Sequence, residues 1–261
     1  MVTIFTPTYN RAYCLNALYE SLCSQTSKDF EWLIIDDGSS DETEALVSSW
    51  LCEQSFSIHY IKQSNGGKHR AINRGVKEAR GELFFIVDSD DMLTEDAVEQ
   101  IILVEKDITC NEHLCGVCFR CLFSVSRNMV GTPFPKDGMY ASSLEWTYKY
   151  KVKGDKAEVV LTDVLRKYPF PEIEGENFVP EALVWNRIAD SYKMICKNKG
   201  IYLCEYLPDG LTAGFWRNLK RNPKGFGLFY SETMKRCISL KVTLKCLIRT
   251  LQCGWYARRK G

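Results

Sequence analysis

The chain of 261 residues contains no apolar stretch of the roughly 18 residues that a membrane-spanning helix needs. It has almost no net charge, +1 from 34 basic and 33 acidic side chains. That balance argues against broad nucleic-acid binding, for which a basic domain is expected. The opening residues, Met1 to Thr8, lack the basic stretch and long apolar core of a signal peptide and read as a strand. A cytoplasmic location is therefore expected, and with it reduced thiols for most of the 12 cysteines. No G-x-G-x-x-G follows the first strand and no G-x-x-x-x-G-K-[ST] occurs, so dinucleotide and P-loop readings lose ground. The densest thiol cluster, Cys110, His113, Cys115, Cys118 and Cys121, lacks the second, distant knuckle of a zinc site. Its centre, Gly116 to Phe123, reads as a strand carrying small buried Cys side chains.

What is present is most informative at Leu83 to Leu93, where L-F-F-I-V runs into Asp88, Asp90 and Asp91. The run has no polar face and reads as a central strand buried on both sides. Carboxylates at the carboxyl end of such a strand sit where open α/β sheets place their ligands. Asp88 and Asp90 can share one hard cation, Mg²⁺ or Mn²⁺, whereas a plain reading makes Asp90 or Asp91 a cap on the next helix. Strands at Val2–Phe5, Phe30–Ile35 and Ile58–Ile61 alternate with helices at Tyr13–Gln25, near Ser40–Glu44 and at Lys68–Ala79. That rhythm predicts a parallel, right-handed, Rossmann-like sheet. The loops after these strands carry Thr8-Tyr9-Asn10-Arg11, Asp36-Asp37, Asn65-Gly66-Gly67-Lys68 and Asp88-Ser89-Asp90. In a parallel sheet all four fall at one edge and build one site, with carboxylates for base, ribose or metal and cations for phosphates.

The second half is less regular. Thr162–Tyr168 reads as helical, Pro169 to Pro180 as an acidic loop, and Glu181–Ile188 as a helix behind Pro180. Tyr202–Tyr206 reads as a late strand and Leu207-Pro208-Asp209-Gly210 as a turn. After Glu232 the chain has no acid, yet it carries Lys235, Arg236, Lys241, Lys245, Arg249, Arg258, Arg259 and Lys260. On a helix, Leu240, Leu244, Leu247, Ile248, Leu251 and Trp255 share one face, flanked by Lys241, Lys245 and Arg249. Such a helix either lies on an anionic membrane surface or packs on its own domain with a solvated basic face.

P-T-Y-N-R at Pro7–Arg11, I-I-D-D-G-S-S-D at Ile34–Asp41, N-G-G-K…A-I-N-R-G at Asn65–Gly75 and A-R-G-E-L-F-F-I-V-D-S-D-D at Ala79–Asp91 occur in that order. Together they resemble family 2 glycosyltransferases, of the type that builds bacterial surface polysaccharide. The resemblance covers residues 1 to 95 closely and the remainder loosely. It implies an α/β, Rossmann-like GT-A fold, with a mostly parallel central sheet flanked by helices and a C-terminal helical appendage. The expected divisions are a nucleotide-sugar-binding half at 1–95, an acceptor-binding half of the same domain at 96–230, and a basic amphipathic helix at 231–261. It also implies metal-assisted, inverting transfer of a hexosyl or N-acetylhexosaminyl group from a UDP-sugar or similar donor to a glycan or lipid-linked hydroxyl. The place of action would be the cytoplasm or the inner face of the cell membrane.

Residue by residue, the resemblance assigns Pro7, Tyr9 and Arg11 to the loop over base and sugar-phosphate, and Asp37, with Asp36 beside it, to the base. Lys68 falls near the phosphates, where Gly66 and Gly67 could instead offer backbone N–H groups. Asp88 faces ribose and metal, with Ser89 in the same nucleotide-sugar loop, and Asp90 binds the metal directly. The general base matches Glu181, in Phe178-Val179-Pro180-Glu181, with Glu174 and Glu176 as competitors. A nucleotidyltransferase would carry a Gly-rich basic loop after the first strand, which this chain does not have. An inactive nucleotide-sugar-binding protein is the other alternative, opposed by intact Asp37, Asp88 and Asp90.

Overall fold

The computed structural model describes residues 1–51, 56–204, 214–236 and 238–260. β1 (Val2–Thr8), β2 (Phe30–Asp36), β3 (Ser57–Lys62) and β4 (Leu83–Ile86) alternate with α1 (Ala12–Cys23), α2 (Thr43–Trp50) and α3 (Lys68–Glu78). These strands pair in parallel in the order β3-β2-β1-β4. Every residue of β1 and β2 is buried, because helices cover both faces of the sheet. Ile4 and Trp32 point to one face and pack with Leu15, Leu18 and Leu22 of α1. Phe5 and Phe84 point to the other and pack with Ile72 and Val76 of α3.

Beyond β4 the chain adds β5 (Met92–Leu93), α4 (Ala97–Thr109), β6 (Leu114–Phe123), β7 (Met139–Ala141) and a π-helical turn at Glu145–Lys149. It continues with β8 (Lys156–Leu161), α5 (Thr162–Lys167), α6 (Ala182–Ala189) and β9 (Lys193–Cys204). The sheet extends as β4-β8-β6-β9-β5, with β7 also on β9. β8 runs antiparallel to both β4 and β6, while β6 and β9 are parallel with shifts in register. The sheet is therefore parallel only as far as β4 and mixed beyond it. No helical crossover separates β6 from β8, so the chain returns against its own direction.

β6 contains the expected Gly116–Phe123 strand, and Cys115, Cys118 and Cys121 are buried in it. β9 begins at Lys193, well before the expected Tyr202, and the turn expected at Leu207–Gly210 lies outside the described residues. α4 is preceded by Asp96 at its N-cap position, so neither Asp90 nor Asp91 caps the helix that follows β4.

The C-terminal part consists of α7 (Phe215–Arg221), α8 (Pro223–Lys235) and α9 (Leu240–Lys260). α8 runs straight through residue 231, the expected boundary, so the appendage is a helical hairpin joined to the domain rather than one added helix. Cys246 and Cys253 of α9 are buried in one cluster with Leu219, Phe226 and Tyr230. Arg249 does not flank the apolar stripe of α9: its guanidinium lies over the Trp216 ring, 4.5 Å from the centroid, and binds Gln252.

Candidate active site

A cleft of about 1180 Å³ opens at the carboxyl ends of β1, β2 and β4. This is the edge where a sheet of this topology places its ligands. Pro7, Tyr9, Arg11, Asp37, Gly67, Lys68, Asp88, Ser89 and Asp90 line it from the first half, and Glu158, Glu181, Trp185 and Tyr202 from the second.

The loops on the nucleotide side are stapled together before any ligand is considered. Asn10, at a left-handed φ of 52°, donates its backbone N–H to Ser39 Oγ and accepts one from Ser40, each at 2.8 Å. Asn is one of the few residues that take such a φ cheaply. Asp37 receives the N–H groups of Gly66 and Gly67, the latter at 2.6 Å, and the amide of Gln63 at 2.8 Å. The two glycine N–H groups thus point at Asp37 and are not the phosphate donors the sequence left open. Gly67 itself is required by space: its φ is +94°, and a Cβ there would meet the Asn177 carbonyl oxygen at 1.9 Å. Asp36, expected beside Asp37 in the site, does not line the cleft. It is fully buried and accepts the Tyr60 hydroxyl and the Ser39 N–H, so it holds the turn rather than a ligand. Thr8 Oγ1 is buried, lines the cleft and has no partner among the described residues.

Lys68 opens α3 and joins the two halves. Its Nζ lies 2.7 Å from Asp88 Oδ1 and 2.8 Å from Glu181 Oε1. These two carboxylates raise its pKa against the opposing effect of burial. Of the three acids that competed for the role of base, only Glu181 lines the cleft. Glu176 is buried and accepts the N–H groups of Lys224 and Gly225 at 2.7 Å each, capping the start of α8. Glu174 is exposed outside the cleft.

Tyr202 and Glu158 line the cleft, although the sequence assigns neither a place in the site. The hydroxyl of Tyr202 on β9 donates to Asp91 Oδ2 at 2.6 Å and accepts the Asp88 N–H at 3.1 Å, which fixes the turn that presents Asp88, Ser89 and Asp90. Glu158, on β8, is partly buried, and burial followed by the charge of Glu181 pushes its carboxyl up to about 8. A lone acid within A-E-V-V was the available signal for Glu158, but nothing local says which face of the strand it occupies.

Among the described residues no group of three or more His, Cys, Asp or Glu side chains converges on a metal position. Asp88 and Asp90 do form a pair, and burial together with the Asp88 charge pushes Asp90 up. Two crowded carboxylates of this kind fit a hard cation that takes its other ligands from a diphosphate and water.

The order of strands, the cleft at their carboxyl ends and its carboxylates define a GT-A fold. Residues 3–117 match the model of glycosyl transferase family 2. A relative from Rickettsia felis, an uncharacterized glycosyltransferase, is 40% identical over 107 residues, 41% of this chain and 17% of that protein. The chain thus matches about a sixth of that relative's length. Among solved structures, Staphylococcus aureus TarS 1–349 in complex with UDP-GlcNAc superposes with a TM-score of 0.69. The two are 17% identical, over 97% of this chain and 72% of that one. The mannosyltransferase PcManGT from Pyrobaculum calidifontis, in complex with GDP-Man and Mn²⁺, gives a TM-score of 0.63 at 17% identity, over 100% and 75%.

Proposed function

We propose that the protein is an inverting glycosyltransferase that moves a hexosyl or N-acetylhexosaminyl group from a nucleotide-diphosphate donor to a glycan or lipid-linked hydroxyl. A UDP-sugar is the favoured donor. The observation that carries this reading is Lys68, within 2.8 Å of both Asp88 and Glu181. The first acid of D-S-D and an acid at the start of α6 therefore face one another across a space one lysine side chain can bridge. The similar structures hold UDP-GlcNAc in TarS and GDP-Man in PcManGT, which supports a nucleotide-sugar in this cleft.

In this mechanism Pro7, Tyr9 and Arg11 cover the nucleotide, Asp37 meets the base, and Thr8 and Ser89 offer hydroxyls to it. Lys68 turns its ammonium to the diphosphate, a richer anion than Glu181, and so releases the Glu181 carboxylate. Glu181 then takes the proton from the acceptor hydroxyl as that oxygen attacks. Attack from the side opposite the diphosphate inverts the anomeric carbon and needs no covalent intermediate. Mg²⁺ or Mn²⁺ would be held by Asp90 and Asp88, and when bound neutralises charge on the leaving diphosphate.

The test is nucleotide release from a panel of UDP- and GDP-sugars with Mn²⁺, alongside thermal shift by the same donors. Glu181→Gln should lower turnover by about 10²- to 10⁴-fold while the donor-induced shift is kept. Near-normal turnover would remove Glu181 as base, and no shift from any donor would overturn the nucleotide-sugar reading.

A further inference from the structure

We propose that the outer face of α9 is a docking surface for an anionic lipid bilayer. α9 has two apolar faces. Val242, Cys246, Cys253 and Tyr256 turn towards α7 and α8, where Cys246 and Cys253 are buried. Leu240, Leu244, Leu247, Ile248, Leu251 and Trp255 turn away from the domain and are exposed, Leu244 by 55% and Leu251 by 67%. On a 3.6-residue repeat these six fall within about 100° of arc, roughly opposite Cys246 and Cys253. Packing on the domain and an apolar surface left for a partner are thus properties of different sides of one helix.

The occupant is identified by charge. Lys241 and Lys245 are exposed along one edge of the stripe, and Arg258 and Arg259 are exposed at its end. Arg259 lies over the Trp255 ring, 3.9 Å from the centroid, which sets an aromatic and a cation together at the depth where headgroups meet acyl chains. α9 carries no acidic residue. A second copy pressed face to face would bring cation against cation with no carboxylate to pair them. An anionic lipid surface meets both the stripe and its basic edge. The helix is 21 residues long, about 31 Å. No helix among the described residues is long and apolar enough to cross a membrane, so α9 lies in the interface plane.

The inference is independent of the transfer chemistry, since vesicle binding reads it without a donor. The experiment is co-flotation of the full chain with phosphatidylcholine vesicles and with vesicles of equal parts phosphatidylcholine and phosphatidylglycerol. Thermal shift by UDP and light scattering for mass are measured in parallel. Binding is expected to the anionic vesicles only, and to weaken with salt. Leu244→Glu with Leu251→Glu should lower it by more than about tenfold. Lys241→Glu with Lys245→Glu should lower it by about tenfold. Both pairs lie outside the cleft and should leave melting temperature and UDP shift unchanged. Three outcomes would overturn the proposal: no wild-type binding to anionic vesicles, equal binding by both variants, or a wild-type dimer that the Leu substitutions dissociate without any effect on vesicles.

Discussion

The two sides of the cleft are built on different terms. On the nucleotide side, the polar groups of the loops are largely spoken for by one another: Asp37 holds Gly66 and Gly67, and Asn10 holds Ser39 and Ser40. On the opposite side Glu181 is paired with Lys68 and Glu158 is held protonated by burial, and both line the cleft with Trp146 and Trp185. The first side is a preformed mould in which a ligand meets a rigid surface. The second holds its acids masked, one by a cation and one by a proton.

That contrast can be broken in graded steps. The largest effect is expected from Asp90→Ala, which should cut cation-dependent turnover by about 10²-fold or more and abolish cation-enhanced UDP binding. Full activity in excess chelator would show instead that the acids act without a metal. Gly67→Ala tests rigidity on the nucleotide side. Its methyl group must displace the Asn177 carbonyl at a φ of +94°, and a loss of about 3 kcal/mol is expected in urea unfolding. A loss under about 0.5 kcal/mol would mean that the mould is soft. Tyr202→Phe strips the hydroxyl that ties Asp88 to Asp91. It should cost about 1–2 kcal/mol and weaken metal-dependent UDP binding, because the D-S-D turn loses its brace.

The smallest effect concerns Glu158 and depends on pH. Its carboxyl is raised from 4.5 to about 8, so between those values the folded chain holds a proton that the unfolded chain has lost. Stability from this group is complete below pH 4.5 and declines as pH rises through 8. Glu158→Gln removes the decline, so the variant's melting temperature should exceed that of the wild type by about 2–4 °C at pH 9 and match it at pH 4. Equal melting temperatures across the range would place the carboxyl in contact with water.

What could be read in the sequence follows the same division. β1 to β4, α3 and the four loops are legible because each loop follows its own strand, and a parallel sheet forces them to one edge. Pro180 marks Glu181 as a helix start, whereas its place in the site comes only from the resemblance. Glu158 and Tyr202 were not legible, because their places are set by pairing across long separations: Phe84 with Val160, and Leu122 with Leu203. Asp36 misled for a related reason. Two adjacent acids at a strand end point to opposite faces, and sequence alone does not say which of them meets the ligand.

The segment from Phe170 to Glu181 acts as a strap. Asn73 binds the backbone at Phe170, Arg70 binds the carbonyls of Ile173 and Glu176, and Glu176 caps α8. For protein engineering, this makes the strap the joint at which the second half of the domain can be exchanged. A chimera that swaps α6 to α8 while retaining the host's residues 170–181 would ask the host's Glu176 to cap a foreign α8. One that carries the segment across as a unit keeps α8 with its own cap and needs Gly67, Lys68, Arg70 and Asn73 to receive it.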